Sequence, residues 1–232
     1  DLGGERPGGD AVPPVQMFFP GFEVRELPVQ LPNINNVRYR QDGKLLALAY
    51  DGVIYLLSDS DGDGLEDRAE KYWAGGGLRA PIGMALTPPG YAGGTGVFVA
   101  SKGKVSLLLD TDGDDQADQE RIVASGWAEI PYIVDALGLA VDAGGNIYFG
   151  LGCADYKNPY LVDEQTGLAG YERAQERGTI QRVSADFTRR ETVCTGLRFP
   201  AGLALNRHGD LFCTDQEGET WLPGGNPLDE LL

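Results

Sequence analysis

Residues 137–152, "LGLAVDAGGNIYFGLG", read as a short apolar strand, a turn of Asp, Gly and Asn, and a second strand. The same grammar returns in "AGLALNRHGDLFCTD" from Ala201, in "IGMALTPPG" from Ile82 and in "NNVRYRQDGKLLALAYDGVIYLLSD" from Asn35. No long amphipathic helix intervenes, so the chain is a series of small antiparallel units. The segments leading into the units repeat too: "GLRAPIG" at 77–83 matches "GLRFPAG" at 196–202. A period of about fifty residues with about four strands per unit predicts an all-β fold of the β-propeller type, because radial repetition gives each sheet a neighbour on both sides. A Greek-key sandwich with fortuitous similarity is the competing arrangement.

The units divide the chain. Residues 1–20 read as a flexible leader, and residues 21–232 as a propeller portion. Within that portion lie an isolated strand at "FEVRELPV" (22–29), three blades, and the start of a fourth that stops after its second strand. Such an array leaves a sheet edge open. The expectation is therefore an incomplete part of a six-bladed propeller, with "FEVRELPV" as the outer strand of its last blade. Strands A to D of a blade run outward from the channel. The A-to-B and C-to-D connections then share a back face, and the D-to-A and B-to-C connections share the mouth. The excursion 152–177, an unusually long B-to-C connection, belongs at that mouth, where it either covers a site or caps the surface.

Composition limits the partners. The 232 residues carry 35 acidic and 19 basic side chains, for a formal charge of −16. Such a chain repels phosphate backbones and has no basic stripe to offset this, so nucleic acid is not expected as a partner. No apolar run has the length of a transmembrane segment. Cys153, Cys194 and Cys213 form no CxxC or CxxCH pattern, which argues against a zinc knot or covalent haem and leaves both one disulfide and buried thiols open.

The strongest chemical signal is "DSDGDGLEDRAE" at 59–70. Asp59, Asp61, Asp63, Gly64, Leu65, Asp67 and Glu70 reproduce positions 1, 3, 5, 6, 7, 9 and 12 of an EF-hand calcium loop, Leu65 through its carbonyl. Carboxylates held this close repel one another unless a cation lies between them. A second copy runs through Asp110, Asp112, Asp114, the carbonyl of Gln116, and Asp118. Here Asp115 replaces the glycine and Arg121 takes the twelfth position, so Glu120 or a water would complete the shell. The flanks "VIYLLSD" and "VSLLLDT" are strand-like, so both loops read as C-to-D hairpins holding structural Ca2+ on the back face. Hard oxygen ligands argue against zinc or copper.

At the mouth, Arg79 and Arg198 recur at equivalent approaches to inner strands. They would either clamp carboxylates of a ligand or tie neighbouring blades together. Asp135 and Tyr132 lie beside another such approach, and Asp155 belongs to a B-to-C connection. Asp215, Gln216, Glu217 and Trp221 offer acceptors and one flat apolar surface that suit a sugar or polyol. The only histidine, His208, falls in an A-to-B turn opposite the mouth.

"PGFEVRELPVQLPN", the two aspartate loops, "LGLAVDAGGNIYFGLG" and "TDQEGETWLPGGNPLDELL" together resemble the amino-terminal propeller region of bacterial membrane-bound or L-sorbosone-dehydrogenase-like proteins, relatives of the soluble quinoprotein glucose dehydrogenases. The resemblance spans nearly all of 19–232. It implies an exported protein, periplasmic or secreted, that oxidises a sugar or alcohol with pyrroloquinoline quinone (PQQ) at the channel mouth. It also implies helical repeats and a c-type haem domain beyond residue 232. Carried onto this chain, it makes Asp135, Arg79 and Arg198 the catalytic candidates, and Tyr132, Asp215, Gln216 and Trp221 the cofactor-binding ones. The family's histidine base would stand just before "GLAVD", where this chain has Asp135, Ala136 and Leu137. Either Asp135 substitutes, the base lies beyond Leu232, or the protein is no quinoprotein. Two other functions fit the same residues. One is a calcium-stabilised propeller that binds a glycan or protein without turnover. The other is lactone hydrolysis, which would need acidic ligands at the mouth where the clear loops point to the rim.

Overall fold

The structure is a computed structural model that describes residues 17–130, 134–153, 176–216 and 229–232. Among the described residues every regular element is a strand. The first sheet contains β1 (Ile34–Tyr39), β2 (Leu45–Ala49), β3 (Ile54–Ser58) and β4 (Arg68–Trp73). The second contains β5 (Gly83–Leu86), β6 (Gly96–Ser101), β7 (Lys104–Leu109) and β8 (Gln119–Ser125). The third contains β9 (Ala136–Val141), β10 (Ile147–Leu151), β11 (Thr179–Val183) and β12 (Arg190–Thr195), and the fourth β13 (Pro200–Leu205), β14 (Leu211–Asp215) and β15 (Glu230–Leu231). Within each sheet consecutive strands pair antiparallel. This is the meander of propeller blades, and the molecule is a four-blade portion of a β-propeller.

The first strand of each sheet is innermost, since β1 neighbours β5, β5 neighbours β9, and β9 neighbours β13. Small residues let these strands approach. A Cβ on Gly83 would lie 2.2 Å from the carbonyl oxygen of Leu137, and one on Gly138 would lie 3.0 Å from that of Ala201. Successive blades share cores. Leu46, Leu48 and Ile54 of the first pack with Met84, Val97 and Val99 of the second. Phe98 and Leu107 of the second pack with Phe149 and Val183 of the third. The middle strands are buried on both faces, as the runs "LLALA" and "GVFVAS" require. A polar residue at either face there would lose its water without gaining a partner.

Two expectations differ in detail. Residues 22–29 form no strand. Their neighbourhood contributes Leu27, Val29 and Leu31 as an apolar cover over Leu45, Ala47 and Leu57. An outer strand exists only by virtue of its ladder partner, and none of the described residues supplies one. In the fourth blade the chain continues past the second strand, for β15 pairs Leu231 with Thr214 and Glu230 with Asp215. Two residues of "DELL" are too few for a period-2 signal.

Candidate functional site

Both acidic loops are C-to-D hairpins on the back face, β3 to β4 and β7 to β8. In the first, Asp59 accepts N–H bonds from Gly62 at 2.6 Å and Gly64 at 2.8 Å. Asp61 accepts from Asp63 at 3.2 Å, and Asp63 from Leu65 at 2.8 Å. The second repeats this: Asp110 accepts from Gly113 at 2.7 Å and Asp115 at 3.0 Å, Asp112 from Asp114 at 3.4 Å, and Asp114 from Gln116 at 2.8 Å. The chain is thus wound around its own carboxylates, which leaves one oxygen from each of Asp59, Asp61 and Asp63 within 4.8 Å of the others, and likewise for Asp110, Asp112 and Asp114. Asp67 is held by Ser60 and Asp118 by the Thr111 hydroxyl. The N–H groups of Gly64 and Gly62 hold the Asp59 carboxyl below the usual aspartate range, and the Ser60 hydroxyl does the same for Asp67. Ionised oxygens converging in threes on exposed loops are a donor set that fits a hard divalent cation.

Glu70 departs from the EF-hand pattern. It lies within β4 opposite Leu56, and its carboxylate accepts from Arg68 at 2.6 Å. The ladder closes at Ser58 and Arg68, so later residues run back along the sheet; an EF-hand brings its twelfth residue to the ion on an exit helix, which a hairpin lacks. Glu120 turns away likewise, to Lys104 and the Ser106 hydroxyl. Asp115 takes the left-handed conformation, φ 70°, where the first loop has Gly64 at 87°. Its side chain is tied to Lys44, and to Arg40 at 2.8 Å, in the A-to-B turn of the first blade. The Lys44 ammonium, then Arg40, keeps the Asp115 carboxyl low. With Ala117 donating to the Tyr72 carbonyl at 2.7 Å, the second loop is docked across a blade boundary.

The mouth uses its carboxylates otherwise. Asp135 is fully buried and accepts from the N–H groups of Gly103 at 3.0 Å and Ala136 at 2.6 Å and from Trp127 Nε1 at 3.3 Å. Buried Arg177 faces it at 3.6 Å and also donates to the Ala128 carbonyl. Asp135 is therefore a joint between the second and third blades. Arg79 pairs with Glu129, joining the connections that lead into β5 and β9. Asp215, also buried, accepts from the N–H groups of Arg198 at 2.9 Å and Phe199 at 2.7 Å, and Arg198 Nη1 donates to the Gln216 carbonyl at 2.8 Å. Beside them lies a cavity of about 560 Å³ whose lining includes Phe199, Thr214, Asp215, Gln216, Asp229 and Glu230. His208 is exposed on the β13–β14 turn at the opposite end, where its Nε2 accepts from Arg207. Tyr132, Asp155, Glu217 and Trp221 lie outside the described residues. Arg177 was invisible to sequence reasoning, because its partner stands far away in sequence and neither residue belongs to a motif.

These features define a β-propeller with acidic hairpin loops on one face and a cavity at the other. The chain belongs to the family described as "Domain of unknown function (DUF7133)", whose model matches residues 32–229. No curated protein matches it. Among solved structures it is similar to a Trichoderma reesei carbohydrate-active enzyme of family AA12 in a calcium structure, with TM-score 0.69 and 16% identity over 89% of this chain and 53% of that one. It is similar to the holo form of the pyranose dehydrogenase PQQ domain from Coprinopsis cinerea, with TM-score 0.63 and 13% identity over 86% of this chain and 48% of that one. The PQQ-bound aldose sugar dehydrogenase from Streptomyces coelicolor gives TM-score 0.61 and 20% identity over 90% of this chain and 61% of that one. The chain spans about half to three-fifths of these relatives, and the shared property is the fold.

Proposed function

We propose that this chain is the propeller portion of an exported, calcium-stabilised oxidoreductase that acts on a sugar or alcohol. The observation that carries the reading is the mouth cavity. Gln216, Asp229 and Glu230 stand beside Phe199 in its lining, at the convergence of the D-to-A and B-to-C connections, in a fold shared with sugar-oxidising relatives. Acceptors next to a flat apolar ring suit the alternating hydroxyl and C–H faces of a sugar. Calcium occupies both back-face loops, with Asp59, Asp61 and Asp63 in one and Asp110, Asp112 and Asp114 in the other as ligands. Exposed sites of this kind bind weakly, with dissociation constants of ~10⁻⁴–10⁻³ M, which matches the calcium available outside the cytosol and supports export.

PQQ fits the described residues poorly. It is a polycarboxylate, whereas Arg79 and Arg177 already face Glu129 and Asp135, and the cavity lining adds Asp229 and Glu230. No step is routed through it. The second reading, a glycan-binding propeller without turnover, is favoured by one observation: Asp135, one of the alternatives for the base, has no open face. The two readings separate in a dye-reduction assay over a panel of sugars and alcohols, with and without added PQQ and Ca2+, run beside calorimetric titration of the same sugars. Turnover supports the oxidoreductase. Saturable binding with no turnover under every condition replaces it with the binding propeller.

A further inference from the structure

The inner strands align through their turns. Arg40, Thr87, Asp142 and Asn206 each donate a main-chain N–H across the A-to-B turn, to the carbonyls of Lys44, Gly96, Asn146 and Asp210. Counting back from these positions, Asn36 stands where the other strands have Gly83, Gly138 and Gly202. Arg38 stands where they have Ala85, Ala140 and Ala204. The glycine position faces the following blade, as the approach of Leu137 to Gly83 shows. Asn36 fills that direction by donating from Nδ2 to the Ile82 carbonyl at 3.0 Å. Arg38, two residues on in a regular stretch of β1, shares its face.

The Arg38 guanidinium is half-buried, and burial lowers its pKa from the ordinary arginine value. Its Nη1 donates to Asn36 Oδ1 at 2.6 Å and to the Val37 carbonyl at 2.7 Å. Among the described residues, Nε and Nη2 have no acceptor and no carboxylate faces them. Arg40, Arg79, Arg177, Arg182 and Arg190 each face one. Both nitrogens keep access to solvent, so this edge is open to a ligand. The edge left open is the one whose two N–H groups point in parallel, the geometry that matches both oxygens of a carboxylate.

We propose that Arg38, held in place by Asn36, is a carboxylate-binding subsite on the innermost strand of the first blade, for a small-molecule carboxylate in the propeller channel. It lies toward the back-face end of β1, two residues before the turn at Arg40, and is separate from the mouth cavity.

The test is a titration of the full chain with acetate, followed by ¹H–¹⁵N spectra of the arginine side chains, with chloride at matched ionic strength as the control. The Arg38 Nε–H signal should shift to saturation with acetate and stay unmoved with chloride. Arg38→Lys keeps the charge and loses the parallel pair. Read at the Asn36 side-chain amide, it should weaken acetate by about tenfold, while Arg121→Lys on β8 leaves affinity unchanged. An unmoved Arg38 signal, including one already occupied by a carboxylate of the polypeptide, overturns the proposal. So does an equal response to chloride, or an Arg38→Lys variant that binds acetate as well as the parent.

Discussion

The acidic residues of the two faces are arranged on opposite principles. On the back face Asp59, Asp61 and Asp63, and again Asp110, Asp112 and Asp114, lie largely exposed and crowded together, with oxygens converging on a common point. At the mouth Asp135 and Asp215 are buried and apart, with their oxygens taken by main-chain N–H groups. The first arrangement is electrostatically unfavourable until a cation arrives; the second is complete as it stands. Asp135 and Asp215 at the mouth are thus joints of the scaffold, while the crowded clusters far from the mouth carry the donor set a cation would use.

The contrast predicts opposite responses to the same kind of substitution. Asp135→Ala should cost about 3–5 kcal/mol in urea unfolding, since Arg177 is left as a buried unpaired cation and three N–H groups, of Gly103, Ala136 and the Trp127 indole, lose their acceptor. Asp61→Asn in calcium-free buffer should leave stability unchanged or raise it by a few tenths (~0.3 kcal/mol), because it relieves repulsion. If Asp135→Ala is as mild as Asp61→Asn, the distinction fails.

Removing calcium comes next in size. At free calcium of ~100 times the dissociation constant, each loop contributes about 2.7 kcal/mol. For a chain of this length that is a fall in Tm of roughly 5–11 °C per site on chelation, measurable by calorimetry. Loss from the second loop should also loosen the boundary between the first two blades, since that loop carries the ties from Asp115 to Arg40 and Lys44 and from Ala117 to Tyr72. Hydrogen exchange at the Ala117 N–H should rise in Asp112→Asn more than in Asp61→Asn.

A finer difference separates the loops at their sixth position. Asp115→Gly relieves a left-handed non-glycine residue and loses partly exposed ion pairs, two effects of about 1 kcal/mol with opposite sign, so its unfolding free energy should hardly change. Gly64→Ala has no compensation at φ 87° and should cost about 1–2 kcal/mol.

A further contrast is alkaline and opens only above the ordinary thiol range. Burial first, then the charges of Asp215 and Cys194, push the Cys213 thiol up to about 12. The unfolded thiol titrates near its ordinary value of ~8.5, so the contribution of Cys213 is full below that pH and is lost as pH rises through the folded value. Cys213→Ala should flatten this alkaline limb in a series of urea titrations; an unchanged limb assigns it to other groups.

The repeat and the loops were legible because both are local. "LGLAVDAGGNIYFGLG" contains two strands and their turn, and the spacing of Asp59, Asp61 and Asp63 is itself the geometry of the site. The sorting of connections between faces followed from strand order alone, and it placed both loops and His208 on the back. Pairs made by the fold were not legible. Arg177 meets Asp135, and Lys44 meets Asp115, through blade packing that no window of sequence contains. Glu70 fitted the EF-hand spacing, yet strand geometry carried it elsewhere. The polar inner strand "NNVRY" was visible as a departure from "IGMAL" and "LGLAV", but its meaning required knowing which face meets the next blade.

The most direct test is calorimetric titration of the calcium-stripped chain with Ca2+. Two equivalents should bind, one lost in Asp61→Asn/Asp63→Asn and the other in Asp112→Asn/Asp114→Asn, each with its share of the rise in Tm. A titration without heat and with Tm unmoved would contradict the account, leaving the exposed clusters as merely acidic turns.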